Sequence, residues 1–162
     1  MSIVVISENS WQGILQVQEE AYTDIPLEEV DVLKSKWKAS PETCFVYQDS
    51  ENKILGYLLA HPWNSDKPPK LFETLPDSSA GDTLYLHDLA VSSNARGLGV
   101  GRKLSNKLLE VAKLKKFSRV LLVAVQGAAD YWCNFGFREV HNVSVSQSYG
   151  ANAKLMKFEA QA

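Results

Sequence analysis

The run Asp88-Leu89-Ala90-Val91-Ser92-Ser93-Asn94-Ala95-Arg96-Gly97-Leu98-Gly99-Val100-Gly101-Arg102 constrains this chain more than any other segment. A strand-like apolar pattern ends at Val91, a short polar loop follows, and alternating glycines lead into an amphipathic stretch. Glycine lets the backbone turn left-handed and approach a ligand closely. A helix N-terminus adds unpaired N–H groups with partial positive charge. Together these features make a cradle for a phosphate or diphosphate. Two familiar phosphate loops are excluded. A P-loop needs Gly-Lys-Ser/Thr after its spacer, but Gly101 is followed by Arg102, Lys103 and Leu104. A dinucleotide fingerprint begun at Gly97-Leu98-Gly99 needs a third glycine where Arg102 stands.

The pattern that fits is R-x-x-G-x-G, on Arg96, Gly99 and Gly101. Beyond it, apolar residues recur at Val100, Leu104, Leu108, Val111 and Ala112, which predicts a helix with a solvated basic face. Val120-Leu121-Leu122-Val123-Ala124-Val125 is short, continuous and β-branched, as in a strand buried on both faces. Gly127 to Asn134 reads as a short helix, followed by Phe135-Gly136-Phe137-Arg138-Glu139-Val140. In order and spacing this resembles the GNAT acyltransferases over roughly residues 40 to 140, anchored by the glycine loop and Phe135-Gly136-Phe137.

The resemblance implies an α/β (α+β) fold, with a mixed, mostly antiparallel central sheet flanked by helices and splayed near Val91 at a cofactor cleft. It implies acetyl-CoA as cosubstrate and no metal. Backbone amides of Arg96, Gly97, Leu98, Gly99, Val100, Gly101 and Arg102 would hold the diphosphate, with Leu89, Ala90 and Val91 beside the pantetheine arm. It also makes a homodimer a reasonable expectation.

Composition agrees with a single domain spanning 1–162, long enough to bury about 70% of its unfolded surface without staples. Formal net charge is −2 with both signs interspersed, which argues against a nucleic-acid partner. Lys113, Lys115 and Lys116 suit a solvated helix end. Cys44 and Cys133 have neither metal nor disulfide spacing and read as reduced cytosolic thiols. No segment is apolar enough for a membrane span or signal peptide, so the expectation is a soluble cytoplasmic protein.

The N-terminal half reads as a strand at Ile3 to Ile6 and helices at Gln12–Tyr22 and Leu27–Ala39, parted by Thr23-Asp24-Ile25-Pro26. A hairpin follows, with strands at Thr43–Tyr47 and Ile54–Ala60. The Pro-, Ser- and Asp-rich segment from His61 to Asp82 is long enough to suggest a cover over a substrate pocket.

Chemistry concentrates on Thr83–Val91. Alternation puts Tyr85 and His87 on one face and, in a regular strand, Asp88 on the other. A bulge would change the placing of Asp88. The implied reaction is attack of an amine on a thioester. An alkyl ammonium with pKa near ~10 must first lose a proton, and histidine suits that task. His87 is the candidate base, with a hydrogen-bonded core histidine as the alternative. Leu86-His87-Asp88-Leu89-Ala90-Val91 is similar to the arylalkylamine N-acetyltransferase branch, which reads Leu-His-x-Leu-Ala-Val and places its histidine to relay protons. In many family members a tyrosine four residues before the Gly-Phe glycine protonates the departing thiolate, but Trp132 stands there and Tyr131 is its neighbour. Tyr131 is the candidate acid, alongside release of the thiolate without one.

Other readings stay open. Trp11, Trp37, Trp63, Tyr22 and Tyr57 suit either core or an aromatic pocket. Glu19, Glu20, Glu73 and Asp77 suit either surface or attraction of a cationic amine. The expected acceptor is the primary amine of a small molecule. Acetylation of a protein or peptide, and a non-catalytic acyl-CoA-binding module, are the alternatives.

Overall fold

The computed structural model describes residues 1–23, 26–75, 80–125 and 127–161. Its apolar runs assemble into one seven-stranded sheet ordered β1-β2-β3-β4-β5-β7-β6. The strands are β1 (Ser2–Val5), β2 (Phe45–Gln48), β3 (Ile54–Trp63), β4 (Thr83–Val91), β5 (Arg119–Ala124), β6 (Arg138–Glu139) and β7 (Lys154–Glu159). Neighbours are antiparallel except β4 and β5, which run parallel. Parallel strands need a crossover, and α3 (Val100–Leu114) supplies it. The other helices are α1 (Trp11–Ala21), α2 (Val30–Ala39) and the short α4 (Ala129–Cys133).

The predicted stripe of α3 is the buried one. Val100, Leu104, Leu108, Val111 and Ala112 pack with Leu58, Ala60, Leu84, Leu86, Val120 and Leu122 on one sheet face. Burying each such leucine contributes about 1.5–3 kcal/mol. On the other face Ile14 and Val17 of α1 and Leu33 of α2 pack with Val46, Tyr57, Leu59 and Ala90.

Three expectations are corrected. The second helix begins at Val30 rather than Leu27; Glu29 caps it in an extended conformation, which leaves Glu28 outside the helix. Of the segment before it, Asp24 and Ile25 lie outside the described residues. Strand β3 runs on to Trp63, so His61 and Pro62 are strand residues opposite Tyr85 and Leu84 rather than the start of the long insert. The sheet also contains β7, which inserts between β5 and β6 and was not legible beyond residue 140.

The splay lies earlier than Val91. Pairing of β4 with β5 runs from Thr83↔Arg119 to Leu86↔Leu122 and stops. On the other side of β4, Ala60 faces Leu86 and Leu59 faces Asp88, so His87 is an extra residue in the ladder. Such a bulge bends its strand and raises its twist. This turns β4 away from β5 and opens a cleft between them.

Candidate active site

The bulge decides which side chains share a face. A regular strand would send Asp88 opposite to His87, but both lie on the α1/α2 side. His87 Nε2 is 2.6 Å from Glu28 Oε1, just before α2. Asp88 instead meets hydroxyls from β3 and from the residue that caps α1: Tyr57 donates to Oδ2 at 2.6 Å, and Tyr22 Oη is 2.5 Å from Oδ1. Asp88 is buried, at 7% exposure.

Glu28 was not a sequence candidate, and it organises the site. Its Oε2 accepts the Phe72 N–H at 2.9 Å while Oε1 holds His87. Burial pushes the Glu28 carboxyl up, but the hydrogen bond and charge of His87, the Phe72 amide and Lys36 together bring it below the usual carboxylate range. An anionic Glu28 assigns the proton to His87 Nε2, an inference from the network. In the neutral imidazole the lone pair is then on Nδ1. That atom is buried and without a hydrogen-bond partner. Asp88 shifts oppositely: burial raises its carboxyl despite the opposing pull of His87 and of the Tyr22 and Tyr57 hydroxyls.

The cleft has a volume of about 260 Å³. One wall is β4 from Leu86 to Val91; the other comprises Leu122, Val123, Val125, Ala128 and Trp132. Tyr22, Glu28, Leu71 and Tyr149 line its far side. Antiparallel ladders alternate the direction of their backbone groups. Ser92 N–H donates to the Leu55 carbonyl at 2.8 Å, so the even-numbered residues of this stretch face β3. Leu89 and Val91 therefore turn their backbone groups toward the cleft. In agreement, the Leu89 carbonyl is 3.1 Å from Tyr22 Oη.

Residues 64–75 of the long insert form a strap beside the cleft, which Leu71 lines. Phe72 is fixed by Glu28, Leu75 N–H donates to Ser35 Oγ at 2.9 Å, and Lys36 Nζ donates to the Glu73 carbonyl at 2.6 Å. At its other edge Tyr149 donates to the Pro69 carbonyl and contacts Tyr85 Oη at 3.1 Å. The strap thus spans from the α2 side to the β6–β7 connection.

At the other end of the cleft, Arg96 to Gly99 form an exposed turn into α3. Gly97 and Gly99 have φ of +83° and +73°, and a Cβ on either would meet nothing within 4 Å. Glycine is needed there for backbone conformation, not for want of room. The first bond into α3 is Lys103 N–H to the Gly99 carbonyl. The Val100, Gly101 and Arg102 amides precede it and have no intrahelical acceptor. These donors, with the exposed Arg96 and Arg102 beside them, suit a diphosphate. Glu20 is structural here: it accepts from Ser92 Oγ at 2.7 Å and Ser93 N–H at 3.1 Å, tying α1 to the loop.

Gly101 has a different reason to be small: a Cβ there would sit 3.2 Å from Tyr131 Oη. Tyr131 hydrogen-bonds Ser105 Oγ at 2.9 Å, over the first turns of α3, and is not among the residues lining the cleft. Trp132, in the usual tyrosine position, packs against Phe135 and Phe137 and lines the cleft. Trp11 and Trp37 pack together in the core with tilted rings, 5.6 Å between centroids. Glu19 is not a lining residue, Glu73 is exposed, and Asp77 lies outside the described residues. Cys133 is an exposed free thiol. Among the described residues no cluster of three metal-ligating side chains occurs, and no helix is long and apolar enough to cross a membrane.

A sheet splayed beside a free-amide cradle, with titratable groups at the bulge, is the frame of an acyl-CoA-dependent acyltransferase. The model for the acetyltransferase (GNAT) family matches residues 11–137, and the chain belongs to that family. It is therefore an acetyltransferase that uses acetyl-CoA. Among solved structures it is similar to Ard1 from Thermoplasma volcanium (TM-score 0.76, 16% identity, covering 99% of this chain and 98% of that one). It is also similar to the GphF GNAT-like decarboxylase in complex with isobutyryl-CoA (0.80, 14%, 99% and 100%). A third is the ribosomal-protein-S18-alanine N-acetyltransferase from Escherichia coli (0.68, 15%, 99% and 94%). At such identities the likeness establishes the fold, which hosts more than one chemistry. No curated protein matches the chain.

Proposed function

We propose that this enzyme transfers the acetyl group of acetyl-CoA to the primary amine of a small molecule by direct attack on the thioester. The observation that carries the small-molecule reading is the strap. Glu28 holds it at Phe72 and Tyr149 holds it at Pro69, so it bridges both sides of the acceptor end. A polypeptide acceptor needs a path along which its chain continues past the reacting nitrogen, and the bridge crosses that path. The likeness of Leu86–Val91 to the arylalkylamine N-acetyltransferase branch supports the same reading.

His87 is the base. Glu28 fixes its ring through Nε2, and Nδ1 accepts a proton from the amine nitrogen as that nitrogen bonds to the carbonyl carbon. Donor amides from residues 96 to 102 hold the diphosphate, and the Leu89 and Val91 backbone lies along the pantetheine arm. Holding amine and thioester together supplies up to about 7–11 kcal/mol of the barrier. General-base help adds about 10²–10⁴-fold.

The test is release of free CoA thiol from acetyl-CoA with small arylalkylamines and polyamines, run beside acetylatable peptides, with products identified by mass spectrometry. Acetylation of a small amine at least tenfold faster than of any peptide is expected. A preference for peptides would overturn the small-molecule reading, and no thiol release with either class would leave a binding module.

A further inference from the structure

Tyr22 and Asp88 occupy the cleft without a part in the scheme above. The Tyr22 hydroxyl has one proton, yet two acceptors are in reach: Asp88 Oδ1 at 2.5 Å and the Leu89 carbonyl at 3.1 Å. With Asp88 ionised, the Tyr22 and Tyr57 protons both go to its carboxylate, and the Leu89 oxygen faces a bare lone pair. With Asp88 protonated on Oδ1, every contact is accounted for. Asp88 donates to Tyr22 Oη, Tyr22 donates to the Leu89 carbonyl, and Tyr57 donates to Oδ2. The far end of this chain is a hydroxyl proton on the cleft side of β4, where backbone groups are turned toward the thioester arm.

We propose that Tyr22 is the general acid that protonates the departing CoA thiolate, with Asp88 as the positioning residue that resupplies its proton. The assignment rests on the reading of His87 as base. It fills the place left by Trp132, from which Tyr131 is held away on Ser105. The amine enters neutral, its ammonium proton already lost to solvent; its nitrogen bonds to the carbonyl carbon and one N–H proton passes to His87. The C–S bond breaks with its electron pair going to sulfur, sulfur takes the Tyr22 proton, and the Tyr22 oxygen takes that of Asp88. His87 gains one proton and Asp88 loses one, so the pair resets through solvent after product release. Burial and the neighbouring Asp88 carboxyl push the Tyr22 phenol well above its ordinary range, so it is a weaker acid than a thiol near ~8.5 and gives up its proton only as Asp88 replaces it. The groups facing Asp88 are Tyr22 just after α1, Tyr57 from β3, His87 beside it and Glu28 before α2. Burial holds Asp88 toward its neutral form, whereas Glu28 is held ionised. Two carboxyls driven apart in this way mark an acid and a base side of one site.

The test is steady-state kinetics of Tyr22→Phe, Asp88→Asn and His87→Ala across pH, with any amine that supports turnover and with thermal melts as the folding control. Tyr22→Phe is expected to lower kcat by about 10²-fold, with KM for acetyl-CoA within about threefold of the parent. The parent profile is bell-shaped; His87→Ala removes one limb, and Tyr22→Phe and Asp88→Asn each remove the other. The double variant Tyr22→Phe/Asp88→Asn is no slower than the slower single variant. If Tyr22→Phe keeps kcat and both limbs while His87→Ala loses one, the acid is elsewhere and the base stands. If His87→Ala leaves the profile intact, the base reading fails with it. A folded Asp88→Asn variant that keeps both limbs removes Asp88 from the chain.

Discussion

Glu28 and His87 are joined by a 2.6 Å contact between Oε1 and Nε2, and the opposite oxygen of the same carboxylate holds the strap at Phe72. One buried side chain thus orients the proposed base and seats the strap.

Glu28→Gln tests that double role. A glutamine amide offers one oxygen to two N–H donors and turns an N–H toward one of them. An unsatisfied buried donor costs about 1–3 kcal/mol. The expected outcome is a fall in kcat of about tenfold or more and a lower melting temperature. Unchanged kcat in a folded variant would release His87 from dependence on Glu28.

Tyr131→Phe is expected to keep turnover within about twofold at saturating acetyl-CoA, because its hydroxyl is bonded to Ser105 over α3 and is not part of the cleft lining. A loss of about 10²-fold would return the acid role to Tyr131.

Gly99→Ala introduces no clash but forces a side chain onto φ of +73° at the start of α3. Such strain costs of order 1–3 kcal/mol and is relieved by moving the Val100, Gly101 and Arg102 amides, the proposed diphosphate donors. Calorimetric titration is expected to show coenzyme A binding weakened several-fold, with kcat at saturation little changed.

His61 makes a pH-dependent contribution to stability. It is fully buried; its Nδ1 contacts the Pro62 carbonyl at 2.9 Å and its Nε2 has no partner. It is faced by the Trp63 and Tyr85 rings, with His87 and Lys36 nearby. Burial, aided by the two neighbouring basic groups and opposed by the Pro62 carbonyl, holds it down to about 3. In the unfolded chain it titrates near ~6.5, so between those values the unfolded state binds a proton that the folded state refuses. Stability is lost as pH falls through that window, by up to about 1.4 kcal/mol per pH unit from this group. Urea unfolding of the parent and His61→Leu should give a shallower acid slope for the variant. Equal slopes would contradict the assignment.

How much was legible in the sequence follows from the range of the interactions. The glycine loop, the α3 stripe from Val100 to Ala112 and the buried run of β5 are local patterns, and each appears where its period predicts. Strand β7 was hidden because Lys154 and Lys157 interrupt its apolar pattern, and only pairing with both β5 and β6 fixes it. His87 was a candidate from its strand motif, but its contact with Glu28 was not legible. Glu28 and Tyr149 were missed because their roles depend on contacts with Phe72 and Pro69, 44 and 80 residues away in the chain. The placing of Asp88 depended on a bulge whose evidence lies in the partner strand, between Leu59 and Ala60.

The most direct measurement is amide chemical-shift mapping of the isotopically labelled protein during titration with coenzyme A. The account predicts that the largest changes fall on Gly97, Gly99, Val100, Gly101 and Arg102, with a second set at Leu89 and Val91. Saturable binding that leaves those amides unmoved and perturbs another surface would contradict it.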